Sequence, residues 1–153
     1  MLLIISLLGI NKGNRLTCSV KDTDKLIMFF KELKSKIYYT GDSVYEIVSK
    51  SKNNSLFVKE LKKHLNNVDF PDAWNQSKDY VKKSLTDEDC LVLSELGKII
   101  GSTDKENQVQ IIDYAIFRFE NSLSEKKEKE KNEKKLYYFT GISLGVIALI
   151  III

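Results

Sequence analysis

Residues 102–135, STDKENQVQIIDYAIFRFENSLSEKKEKEKNEKK, decide the fold. Val109, Ile112, Ile116, Phe119 and Leu123 step by three, four, three and four, which is the period of one helical face. Ser102 can cap this helix, and Asp104 and Glu106 suit the positive end of its dipole. After Leu123 the apolar stripe ends while helix formers continue. Glu125–Lys129 and Glu130–Lys134 are i, i+4 pairs in the favoured orientation. The pattern predicts a helix that leaves a packed body after Leu123 and runs unpacked through solvent as a charged stalk.

The stalk leads into residues 136–153, LYYFTGISLGVIALIIII, where no charged side chain occurs. As a helix this run reaches roughly 27 Å, close to the roughly 30 Å hydrocarbon core of a bilayer. Lys134 and Lys135 flank it, which favours a cytoplasmic stalk and a translocated C-terminus. Tyr137, Tyr138 and Phe139 stand where an interfacial aromatic belt would lie. The run reads as a transmembrane helix, the alternative being a buried C-terminal helix. The interleaved glutamates of the stalk fit a solvated helix better than a binder of acidic lipid headgroups.

Working back from the stalk, the body reads as all-α. Leu26, Phe29, Phe30, Leu33 and Ile37 give a first helical face from Asp24 onward, stopped at Thr40-Gly41-Asp42. Asp42 or Ser43 can cap a second helix carrying Val44, Ile47 and Val48. Leu56, Phe57, Glu60, Leu61, His64 and Leu65 form a third stretch. Pro71 opens a fourth, lined by Ala73, Trp74, Ser77, Tyr80 and Val81. Thr86 to Asp89 resembles a capping box with Asp in place of Glu. Leu91, Val92, Leu93, Leu96, Ile99 and Ile100 then run to Gly101, a good helix stop. Gly97 lies four residues before it, on the same helical face. Residues 1–10, MLLIISLLGI, are apolar but reach only about 15 Å as a helix, and Asn11 to Asn14 carry loop chemistry. The expected organisation is a short apolar segment and loop at 1–23, a cytoplasmic bundle of about six antiparallel helices at 24–124, a charged helical stalk at 125–135, and a transmembrane helix at 136–153.

Composition narrows the functional classes. The apolar set is 43%, charged residues are 29% and the net charge is +3, so the basic excess is too small and too mixed to point to nucleic acid. Cys18 and Cys90 form no CxxC, which gives no support to a disulfide framework or a zinc site and leaves two free thiols. The single histidine, His64, has no partner at ligand spacing. No glycine-rich phosphate cradle, GxSxG or HExxH occurs. Asp87, Glu88 and Asp89 are adjacent carboxylates, but a helix start accounts for them through the dipole. No catalytic, cofactor-binding or metal-ligating residue is therefore assigned, and no small-molecule substrate is expected. Trp74 reads as core, with an interface anchor as the alternative.

The segment Leu96-Gly-Lys-Ile-Ile-Gly-Ser-Thr-Asp-Lys-Glu-Asn-Gln108 resembles the stage III sporulation protein AB family of endospore-forming bacteria. The family's pattern appears here as Gly97, Gly101, Asp104, Gln108, Lys131-Asn132, and the tail glycines Gly141 and Gly145. Glu32 to Val48, with its Tyr39-Thr-Gly41 turn, and Ala73-Trp74 resemble further family elements. The chain departs from the pattern at its start, where ten apolar residues and a lone Arg15 stand in place of a full membrane helix and an Arg-rich turn, and in lacking a proline after the Tyr-Gly turn. The resemblance implies a cytoplasmic helical domain similar to the F-type platform domains of type II secretion and type IV pilus machines. It implies a part in the channel complex joining mother cell and forespore, at the mother-cell side of the forespore membrane; with no catalytic constellation in the sequence, that part is expected to be non-enzymatic. It also implies an ATPase-like partner, stage III sporulation protein AA, together with other channel proteins. Composition alone equally allows a tail-anchored cytoplasmic adaptor unrelated to secretion.

Overall fold

The computed structural model describes the backbone of residues 2–152 and the side chains of residues 16–136, 139 and 140. Six α-helices and no strand occur among the described residues: α1 (Leu2–Tyr39), α2 (Val44–Lys50), α3 (Leu56–His64), α4 (Phe70–Val81), α5 (Asp87–Ile99) and α6 (Lys105–Ile152). A single 3₁₀ turn, Lys82–Ser84, links α4 to α5.

Local chemistry sets most of the helix starts. Ser43 begins α2 with a reciprocal capping box to Glu46. Ser55 accepts the Val58 N–H at the start of α3, and Asp69 accepts the Asp72 N–H at the start of α4, where Pro71 occupies the first turn. Thr86 and Asp89 close a full capping box on α5, so Asp does serve in the position usually held by Glu. Ser102 does not cap α6. Its hydroxyl donates to the carbonyls of Lys98 and Ile99, and Asp104 takes the capping place by accepting the Asn107 N–H at 3.0 Å.

The long helices α1 and α6 form the frame. Thr17 bonds Glu130, Thr23 bonds Lys126, Lys31 bonds Glu120 and Lys34 bonds Asp113, so partners descend along α6 as α1 ascends. The pair is antiparallel. Leu26, Phe30 and Leu33 on α1 are buried with Ile112, Phe119 and Leu123 on α6, and the rings of Phe30 and Phe119 lie 5.5 Å apart. The four shorter helices close one side of this frame. Trp74 is fully buried there, with Phe57 edge-on at 4.8 Å and its indole N–H donating to the Leu93 carbonyl at 2.8 Å. It is a core residue.

Three further expectations need correction. The Asn11–Asn14 segment is helical in α1, so the first helix does not wait for Asp24. An isolated glycine costs about 1 kcal/mol inside a helix, which a long packed helix tolerates. The stalk is also not unpacked, because Lys126 is buried and Glu130 and Glu133 are half-buried. In addition, Tyr80 and Leu91 face solvent rather than the core.

Candidate functional site

The α5–α6 turn is built by the glycines and polar residues of the Leu96–Gln108 segment. Gly101 has φ +77°, a left-handed conformation in which a Cβ is strained. Gly97 serves a different purpose. A Cβ there would stand 2.3 Å from Trp74 Cδ1, so the missing side chain lets the buried indole lie against the α5 backbone. Gln108 reaches back over the turn, accepting from the Gly101 N–H at 3.1 Å and donating to the Thr103 carbonyl at 2.7 Å. Hydrogen bonds from the Asn107 backbone and side chain hold the Asp104 carboxyl below its usual range. Together these residues shape the elbow, and their hydrogen bonds are satisfied within it.

A second constellation was not anticipated from the sequence. Lys126 Nζ lies 3.1 Å from Asp89 Oδ2 and donates to Thr23 Oγ1 at 3.0 Å, with both charged side chains buried. Ser122 donates to the same carboxylate, which also accepts the Thr86 N–H. One carboxylate thus caps α5 and ties that helix to α6, while Lys126 extends the tie to α1. Asp87 and Glu88 remain at the helix start, and Glu88 pairs with Arg118 across the α5–α6 seam. A sequence signal for Lys126 existed. Position 126 follows 123 by three, and Glu130 follows by four, so the stripe continues with polar residues.

Concave surfaces among the described residues include one of about 460 Å³ on the α5–α6 seam beside Asp89 and Arg118. A groove of about 590 Å³ lies between α2, α4 and α5, walled by Tyr45, Phe70 and Pro71 with Lys78 and Lys98 at its sides. A cleft of about 540 Å³ lies between α1 and the α2–α3 connection, with Lys25, Lys36, Lys50 and Lys52 around Met28 and Glu32. His64 is half-buried at the end of α3. Cys18 is exposed and Cys90 half-buried, both as free thiols. Among the described residues no group of three or more His, Cys, Asp or Glu side chains could hold a metal ion.

Among the described residues no helix is long and apolar enough to cross a membrane. Most side chains of the apolar 136–153 run, and all of those in the 1–10 segment, lie outside the described set, and so does the expectation that the former spans a bilayer.

The fold and its elbow define an all-helical body built on one long antiparallel helix pair. The family model of stage III sporulation protein AB matches residues 1–153, and the chain belongs to that family. No curated protein and no solved structure matches it. It is thus a protein of sporulation stage III.

Proposed function

We propose that the chain is a membrane-anchored, non-enzymatic component of the channel complex between mother cell and forespore. Its helical body acts in the mother-cell cytosol as a platform for the ATPase-like stage III sporulation protein AA and for other channel proteins. Family membership supports the sporulation setting. The observation that carries the platform reading is the antiparallel pairing of α1 and α6. It directs the beginning of α1 and the end of α6 toward one end of the body, and both carry apolar sequence, at 1–10 and 136–153. That end is the membrane end, and the α5–α6 elbow lies at the opposite one. The tied stalk supports the same reading, because it holds the body at a fixed distance from the anchor.

Fractionation tests the anchor. The full chain should resist alkaline carbonate extraction, and a chain cut after Lys135 should be released. Retention of the shortened chain would assign anchoring to residues 1–10 and overturn the single-pass topology.

A further inference from the structure

The cleft beside α1 is strongly basic. Its walls carry four lysines and one carboxylate, a local excess of +3 in a chain whose total is also +3. The one carboxylate is already engaged: Glu32 accepts the Ser51 hydroxyl at 2.7 Å and pairs with Lys36 at 3.2 Å. Lys50 stands 4.0 Å from an exposed Glu46, a weak surface contact, and Lys25 and Lys52 join no ion pair among the described residues. Met28, an apolar and adaptable side chain that is 61% exposed, lines the same cleft.

The frame of the cleft is fixed. Asn53 donates its amide to the Lys25 carbonyl at 2.7 Å, Lys62 donates to the Ser51 carbonyl, and the Leu56 N–H donates to Asp22 at 2.7 Å. The α2–α3 connection is therefore pinned to α1, and Lys50 and Lys52 are presented from a set backbone. Such preorganisation lowers the ordering cost of binding.

We propose that this cleft docks an acidic segment of a protein partner, with carboxylates at Lys25 and Lys52 and an apolar side chain on Met28. The proposal rests on the platform reading above. A lipid surface has the same charge but the wrong position. Lys25 lies about 22 Å along α1 from Ile10, well beyond a Debye length of about 8 Å from the membrane end.

The test uses the full chain in nanodiscs of neutral phosphatidylcholine and a fluorescein-labelled peptide alternating Glu and Leu, read by anisotropy. Replacing Lys25→Glu with Lys52→Glu should weaken binding about tenfold or more, and added salt should weaken the wild-type complex. The equal charge change Lys83→Glu with Lys127→Glu, at two exposed lysines away from the cleft, should leave it unmoved. Equal weakening by both pairs would reduce the effect to net charge and overturn the site. No binding by the wild-type chain would overturn it also. So would capture of phosphatidylserine vesicles, lost on reversing Lys25 and Lys52, in place of the peptide. Carbonate extraction tests the anchor on which the platform reading rests independently of this peptide, so the two can fail separately.

Discussion

Lys126 and Asp89, 37 residues apart in sequence, meet as an ion pair at 3.1 Å with both side chains buried. Removing one partner of a buried pair leaves an uncompensated charge. Lys126→Met should therefore destabilise the fold by about 3 kcal/mol, the lower end of the usual range, because Ser122 and the Thr86 N–H still bond Asp89. Asp89→Asn together with Lys126→Met should recover part of that loss. Denaturant titration of the wild type, the single variant and the double variant measures both quantities. A single-variant loss below about 1 kcal/mol would show the pair to be no stronger than a surface one.

The same tie makes the stalk sequence-specific. A charge-balanced shuffle of residues 125–135 that moves Lys126 should lower the thermal midpoint, whereas a shuffle that keeps Lys126 and Glu130 should not. Equal midpoints for the two shuffles would restore the view of this stretch as an inert spacer.

Gly97 and Gly101 should fail for different reasons. Gly101→Ala meets only an ordinary contact with Val44 at 3.9 Å but a strained φ, and should cost about 1 kcal/mol. Gly97→Ala puts a Cβ into an indole that is fully buried and hydrogen-bonded, so it cannot swing away. Overpacking should cost about 2 kcal/mol even after the helix propensity gained by alanine. Trp74→Leu in the Gly97→Ala background should show a strong departure from additivity, while the same change paired with Gly101→Ala should add. Thermal or denaturant unfolding reads all of these, and additive behaviour of the Gly97–Trp74 pair would refute the contact.

The two thiols should differ in reactivity. Burial first, and the neighbouring Asp89 carboxylate second, push the Cys90 thiol up, whereas Cys18 is exposed. Since the thiolate is the attacking form, Cys18 should be alkylated first near neutral pH, with Cys90 lagging until the pH is raised or the chain unfolds. Mass mapping after brief iodoacetamide treatment decides the order, and Cys90 labelling first would contradict the packing around α5.

Much of the fold is legible in local sequence. Ser43, Thr86 and Gly101 act within a few residues of themselves, so the starts of α2 and α5 and the elbow can be read from short windows. Trp74 reads as core because a large aromatic on an amphipathic helix gains most by burial. Lys126 was not legible as core. Its stripe position is right, but its residue type signals solvent, and the carboxylate that offsets its burial comes from another helix. Asn11 to Asn14 fail in the opposite sense. Their loop chemistry is real locally and is overridden in a helix that packs along its later turns. The basic cleft was also hidden, since Lys25 and Lys36 come from α1, Lys50 from the end of α2 and Lys52 from the connection that follows it.

The most direct measurement of the central claim is a calorimetric titration of stage III sporulation protein AA into the full chain held in neutral nanodiscs. The platform account predicts saturable heat at micromolar concentrations, and its persistence in a stalk shuffle that keeps Lys126 and Glu130. No heat at tens of micromolar, with the chain shown to be folded, would contradict the account.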